Sequence, residues 1–533
     1  MLKLLYTRFF DTRNIEFLAI VLLCITAVGM PLSRFLMSFG TVGLAILFGI
    51  SGHWDYKCAN LKKSKFLWPL VFLFLLHIVW LFRANDISGA MNDINSKMPL
   101  IIFPLAIGSV RLTKKQIMFI LHVFVVAVVI STLVSLLVYL GVYVPQKPVD
   151  NIRRISIFIS HIRLGLMCLM SICIILYIWF RNRKKLQIWH KMVFCATIVW
   201  LFYFVILIQT VTSWVAFFVV MVVALIVYRK NLKRWQKASI GVLFAGTFLF
   251  GALFVYNVVS NFYKIRDTET ELPKFTMQGN PYTHNLDSKV LENGHYVYRY
   301  LCVEELSNEW VKRSSTDLNS KNKSGFTNKH TLIRYLTSKG LPKDSCGFWQ
   351  LSNAEIKSIE EGCACCIYNE KSSIYKRTYE LIWEFDRYLK ENDPNGKSVC
   401  MRIEFMKTGM HILKANLLFG VGTGDVKKSF AQAYEETNSP LKSEYRHMAH
   451  NQYLTFAISL GLIGFVLAMA FMIAPLFMRK STNFLLVAFC TICFVSMFDE
   501  DTLIRQLGSR MFAMMYSLAL LLPTYDEETA SEQ

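Results

Sequence analysis

Apolar residues in this chain run in blocks separated by short polar stretches. With a window of about 19 residues, the blocks fall near residues 15–31, 34–51, 66–82, 98–110, 117–141, 157–180, 192–209, 210–228, 239–260, 451–478, 483–498 and 510–523. Most approach the ~20 residues that an α-helix needs to cross a hydrocarbon core; the fourth is short and the tenth is long enough to tilt. The pattern predicts an all-α polytopic integral membrane protein with about 12 transmembrane helices. The first block follows Arg8 and Arg13, as the apolar core of a signal peptide would. It runs too long for one, and it ends at Met30-Pro31-Leu32-Ser33 without a small-residue cleavage motif, so it reads as a retained first helix.

The pattern stops at Asn261 and resumes only after Ala449. The intervening stretch is polar and too long for a connector, which predicts a small, mainly helical domain with its own core. Helices are expected near Thr331 to Leu336, Asn353 to Glu361 and Ser373 to Lys390, with Ser352 or Asn353 capping the second and Glu355 or Ile356 in its first turn. The predicted order is a membrane bundle over 1–260, a loop domain over 261–400, and an amphipathic helix with a glycine-rich loop over 401–449. Membrane helices over 450–523 and a tail over 524–533 complete it. No internal repeat is evident.

Composition agrees with the membrane class. Hydrophobic residues make up 54% of the 533 residues and charged ones 18%, where an average soluble domain carries about 25% charged. The net charge of +21 changes the picture through its distribution. Basic residues gather in alternate loops: Lys57, Lys62, Lys63 and Lys65; Arg111, Lys114 and Lys115; Arg181 to Lys191; Arg229 to Lys237; and Arg479 with Lys480. By the positive-inside rule these loops and both termini face the cytoplasm, so 261–449 lies on the opposite side of the membrane. The excess charge thus orients the chain, and nucleic-acid binding is set aside.

Seven cysteines lie in or beside apolar blocks, where Cys acts as a small hydrophobe. Cys302, Cys346, Cys363, Cys365, Cys366 and Cys400 lie in the large loop, an oxidising setting that leaves disulfide pairing open among 15 connectivities. Cys363-Ala-Cys-Cys lacks a second ligand pair of metal-site spacing, so neither a metal nor a cofactor is expected.

Candidate chemistry concentrates after residue 400. From Arg402 to Leu418, Ile403, Met406, Met410, Leu413 and Leu417 recur at helical spacing, while Glu404, Lys407, Thr408, His411 and Lys414 take much of the other surface. Such a helix either lies in the membrane interface or packs on the loop domain. Phe419-Gly-Val-Gly-Thr-Gly-Asp425 follows. A phosphate loop needs Gly-Lys-Ser/Thr where this sequence has Gly424-Asp425-Val426, which excludes nucleotide binding of that type. His450-Asn451 then stands nine residues before Gly461-Leu-Ile-Gly464. Glycines three apart permit close helix approach, and His450 at a helix entrance reads either as a cap or as a reactive imidazole.

The Arg402 segment, the Phe419-Gly-Val-Gly-Thr-Gly run and His450-Asn-Gln-Tyr-Leu with its Gly461-Leu-Ile-Gly464 partner resemble the C-terminal signature of the O-antigen ligase and O-antigen polymerase superfamily. The resemblance covers the overall architecture and, at residue level, mainly 400–465 and the outer start of the sixth block. It implies a glycosyltransferase that uses an undecaprenyl-diphosphate-linked oligosaccharide in lipopolysaccharide or capsule biosynthesis. It also implies arginines that grip the donor's diphosphate. The acceptor would be a glycan, lipid A-core or, in a protein O-oligosaccharyltransferase, a protein hydroxyl. Family members often carry a Ser-Arg pair in the region of Thr212-Ser213-Trp214; Trp stands there in this chain, so no role is transferred.

On that reading His450 is the catalytic base, because an imidazole titrating near ambient pH can take the proton of an attacking hydroxyl. Arg402 is its partner, and Arg153, Arg154 and Arg163 at the outer start of the sixth block are candidates for the diphosphate, since guanidiniums offset phosphate charge bidentately without a metal. Arg163 is also shallow enough to snorkel. Asn451, His447, Asp501 and Arg505 are supporting candidates, the last two from a cluster, Asp499-Glu500-Asp501, that would otherwise be a solvated helix start. His77 and His122 read as packed or interfacial. A lipid-linked sugar flippase would share the spans and basic loops, but transporters favour inverted repeats and polar residues at the bilayer midplane.

Overall fold

A computed structural model of the chain describes residues 11–145, 152–228, 233–267, 272–370, 373–479 and 483–522. They form two compact units, one of residues 1–232 with 401–533 and the other of residues 233–400.

The first unit opens with α1 (Thr12–Leu32), α2 (Arg34–Ile50), α3 (Trp54–Lys63), α4 (Trp68–Val79), α5 (Ile87–Lys97) and α6 (Pro99–Ser109). It continues with α7 (Lys114–Tyr139), α8 (His161–Asn182), α9 (Ile188–Leu207) and α10 (Val211–Tyr228). The second unit holds α11 (Arg234–Tyr263), a hairpin of β1 (Leu291–Glu292) and β2 (His295–Tyr296), and six helices. These are α12 (Val303–Arg313), α13 (Asn328–Ser338), α14 (Ser345–Trp349), α15 (Asn353–Glu360), α16 (Ile367–Glu370) and α17 (Ser373–Glu391). Returning to the first unit, α18 (Ser398–Ala415) leads into α19 (Val426–Glu436), α20 (Gln452–Met478), α21 (Phe484–Ser496) and α22 (Gln506–Leu521).

All twelve apolar blocks fall on helices, though not all of those helices are long. Among the described residues seven are long and apolar enough to cross a membrane, and an eighth results if α2 and α3, bent by 117° at their junction, form one span. The blocks on α6 and α21 yield helices of 11 and 13 residues. The protein is a mostly helical, multi-pass membrane protein.

Local sequence sets the helix ends. Thr113 and Gln116 form a capping box at the start of α7, Ser33 caps α2, and the Asn483 side chain accepts from the Leu486 N–H at the start of α21. Each satisfies an N–H that a helix start leaves unpaired. Within the first unit α8 is enclosed by α7, α9, α10 and α21, and its buried face includes Leu164, Met167, Cys168, Ile174 and Ile175. By contrast α9 leaves most of its apolar surface exposed, as a helix facing lipid does.

In the second unit, Leu306, Trp310, Leu332, Tyr335, Leu336, Phe348 and Ile359 form a core, while Phe254 and Phe262 of α11 pack with Tyr375 and Tyr379 of α17. The expected helices are present with adjusted ends. The one foreseen over Thr331–Leu336 starts at Asn328, because the Thr327 hydroxyl caps it. Ser352 and Glu355 form a capping box at the start of α15. Among the described residues all thirteen cysteines are free.

Candidate functional site

The site assembles on four helices and one loop. The loop is 497–505, between α21 and α22, and its acidic run Asp499-Glu500-Asp501 sends each carboxylate to a different element. Asp499 pairs with Arg402 on α18 and accepts from the Thr212 hydroxyl at the start of α10. Glu500 pairs with Arg163 in the first turn of α8 at 3.5 Å. Asp501, buried, accepts from the Thr455 hydroxyl of α20 at 2.6 Å and from the backbone N–H of His450. Burial pushes the Asp501 carboxyl above its ordinary range, opposed by those two hydrogen bonds. One tripeptide therefore gathers Arg402, Arg163 and His450, residues far apart in sequence.

His450 itself has φ +49°, in the left-handed region, which non-glycine residues enter rarely and at a cost. The turn is fixed on its far side by Asn451, whose side chain accepts from the Leu454 N–H at 3.0 Å and donates to the Phe498 carbonyl at 3.2 Å. Asn451 is thus the N-cap of α20, leaving the imidazole outside the helix. The ring lies 5.7 Å from that of Phe405 and 6.0 Å from that of His447. Its pKa sits below the ordinary imidazole range, mainly through burial; Glu500 pulls it upward while Arg402, Arg505 and His447 push it down.

The other candidates are distributed around this centre. Arg153 and Arg154 occupy a short 3-10 turn, Ile152–Ile155, just before α8, with Arg153 half-buried and Arg154 exposed. His161, the first residue of α8, lies within electrostatic reach of Arg153, Glu500 and Arg402, and the sequence had given it no role. Arg505 is exposed at the start of α22. His447 is exposed in an extended segment, and its carbonyl accepts from the Tyr434 hydroxyl at 2.6 Å. It is near His450 by chain reversal, since the helix begins only at Gln452. Arg163 stands in the first turn of α8, since residues 156–160 are not helical. His122 is exposed and bonded to the Met118 carbonyl.

The segment foreseen as an amphipathic helix is α18, and its inward face differs from the expected one. Phe405 and Ile412 pack against Phe430, Ala433 and Tyr434 of α19, with Glu404 and Thr408 also buried. Met406, Met410, Leu417, Leu418 and Phe419 remain exposed. Docking of α19 selected the Phe405 side, and the methionine stripe is left outward.

The glycine run after α18 is a backbone clip. Gly461 breaks α20 with φ +65° and ψ −177°, and in the gap Val421 N–H donates to Ile458 O and Gly422 N–H to Ser459 O, both at 2.9 Å, while Leu462 N–H donates to Leu417 O at 2.8 Å. A Cβ on Gly420 would come within 2.4 Å of Gly461 N. The pairing of these glycines is thus a matter of backbone approach between loop and broken helix. At its far end Asp425 accepts from the N–H groups of Asn85 and Asp86, each at 2.7 Å.

Among the described residues no three His, Cys, Asp or Glu side chains converge as a metal-ligand set; the charge facing the acidic loop is guanidinium and imidazole. No curated protein matches the chain at a significant level. Residues 365–469 match the family model described as O-Antigen ligase. That stretch holds α18 with Arg402, the glycine clip and the His450 turn, so the part of the chain that carries the candidate site is similar to the O-antigen ligase family.

Proposed function

We propose that this protein transfers or polymerises an undecaprenyl-diphosphate-linked oligosaccharide at the periplasmic face of the bacterial inner membrane, in surface polysaccharide biosynthesis. The observation that carries the reading is the joint anchoring of Arg402, Arg163 and His450 by the Asp499-Glu500-Asp501 run, with Arg402 and His450 inside the family match. About twelve spans, with the termini cytoplasmic and residues 261–449 periplasmic, fit the alternation of basic loops.

The chemistry follows from the residues. An acceptor hydroxyl oxygen attacks the anomeric carbon of the donor sugar, the bond from that carbon to the diphosphate breaks, and undecaprenyl diphosphate leaves with the electron pair. The hydroxyl proton passes to His450. Burial keeps this imidazole neutral at neutral pH, the form a base requires. Charge growing on the departing diphosphate is met by Arg402 and Arg163, with Arg153 and Arg154 beside them. Asp499 and Glu500 act as positioning residues that hold the guanidiniums until a diphosphate takes their place. Asn451 and Asp501 fix the turn that presents the imidazole. Guanidinium charge does the work that a divalent cation would otherwise do, so the reaction proceeds without metal.

The test is transfer by the purified protein from a defined undecaprenyl-diphosphate oligosaccharide to lipid A-core, to a second repeat unit or to a peptide hydroxyl, in excess chelator. A glycosylated acceptor is expected, and its identity separates ligase from polymerase. Activity that vanishes in EDTA and returns with Mg²⁺ would overturn the metal-free route; no transfer to any acceptor would overturn the reaction itself.

A further inference from the structure

Beside the His450 turn lies a cavity of about 270 Å³, close to the lower end of small-molecule sites at about 300 Å³. It shares two walls with the site already described. Gln452 is the first residue of α20, two positions beyond His450, and Thr455 is the residue whose hydroxyl holds Asp501. The opposite wall comes from α4 and α5, with His77, Asn92 and the ion pair of half-buried Asp93 with buried Lys97.

Two of the lining side chains are fully buried and keep a polar atom without a hydrogen-bond partner: His77 Nε2 and Gln452 Nε2. Their roles are fixed by their other ends. His77 Nδ1 is 2.8 Å from the Leu73 carbonyl, which can only accept, so Nδ1 carries the proton and Nε2 is an acceptor. Gln452 Oε1 accepts from the Leu503 N–H at 2.7 Å, which leaves its NH₂ as a donor. The two lie near one another, because the Phe456 ring, one turn along α20 from Gln452, is 5.7 Å from the His77 ring. Lys97 already spends its charge on Asp93, which leaves the exposed Lys427 as the other charge on the lining. Leaving buried polar atoms unpaired costs free energy, and a group that both donates and accepts, beside an apolar face, would relieve that cost. A sugar has this chemistry, with hydroxyls on its edges and C–H groups for the Phe456 side.

We infer that this cavity is a carbohydrate pocket that receives the acceptor glycan next to His450. The inference rests on the reaction proposed above and adds the acceptor's place in it. The diphosphate would remain on the arginine side, around Arg402 and Arg163, and the attacking hydroxyl would come from the α4–α5 side across the start of α20.

The experiment uses the full-length protein in nanodiscs, with two readouts. Hydrogen–deuterium exchange over residues 87–97 and 452–459 is followed with the free, non-phosphorylated repeat-unit oligosaccharide and, separately, with inorganic pyrophosphate. The oligosaccharide is expected to slow exchange there and pyrophosphate is not. Transfer kinetics are then compared for wild type, His77→Phe and Asn92→Trp. Both variants should raise the acceptor KM about tenfold or more, the effect of losing roughly one good hydrogen bond or blocking the pocket, with donor affinity within about twofold of wild type. Asn92 is exposed at the rim, so Asn92→Trp carries the test if His77→Phe does not accumulate. Protection by pyrophosphate, absence of protection by the oligosaccharide, or an unchanged acceptor KM in Asn92→Trp would each overturn the pocket, leaving it a solvent cavity or an anion site. Protection by the oligosaccharide in a protein that transfers nothing would keep the pocket and remove the proposed reaction.

Discussion

The glycine loop 419–425 and the acidic loop 499–501 both press on the first half of α20, but they hold it by different means. The first uses backbone: Gly420 and Gly422 bring main-chain groups against the break at Gly461, and Asp425 is saturated by fixed N–H donors. The second uses side chains: Asp501 holds Thr455 of α20, while Asp499 and Glu500 reach outward to Arg402 on α18 and Arg163 on α8. A carboxylate held by backbone N–H groups has nowhere to move and serves as structure. A guanidinium held by a carboxylate can exchange that partner for a phosphate of equal charge and similar geometry. The fold has placed a backbone clip and a loop of arginine-paired carboxylates against one helix, with His450 just before its first turn.

The largest break in this contrast should come from His450. His450→Ala, combined with His447→Ala to remove the neighbouring imidazole, should slow single-turnover transfer by roughly 10² to 10⁴ while donor affinity changes little. Near-normal turnover in that double variant would dismiss a histidine base.

Arg402→Lys should come next, lowering turnover by roughly tenfold or more, because an ammonium keeps the charge but cannot form the planar fork. Measurement of donor affinity alongside locates the loss; a variant that binds and turns over normally would make the Arg402–Asp499 pair merely structural.

The structural loop should respond in the opposite currency. Asp425→Ala removes the acceptor of two part-buried N–H groups, those of Asn85 and Asp86, and hydrogen bonds to a charged group contribute about 1.5–3 kcal/mol, so the thermal midpoint in detergent should fall while turnover per folded molecule holds. Asp499→Ala should show the reverse profile. Identical behaviour of the two would erase the distinction between them.

The smallest effect is a pH shift. A base must be neutral, so activity should rise as pH climbs through the His450 pKa, which lies below the ordinary ~6.5, and be flat by pH 7. Because Glu500 raises that pKa, Glu500→Gln should move the acid limb to lower pH, by less than about one unit. Movement toward higher pH would contradict the assigned electrostatics.

Much of this protein is written in local sequence. The apolar blocks mark their helices because length and hydropathy are local quantities, and caps such as Thr113 with Gln116 or Ser352 with Glu355 mark helix starts. His450, Arg402 and Arg163 were visible as chemistry out of place beside apolar segments. Tertiary structure alone decided the rest. Which face of α18 turns inward depended on where α19 docks, since both sides of the helix carry apolar residues. That Gly461 is a break filled by another loop's backbone depended on a contact across forty residues of chain. The separate duties of Asp499, Glu500 and Asp501 depended on four helices meeting at one loop, because a charge acquires its role from the partner that folding brings to it, and sequence spacing carries no record of that partner.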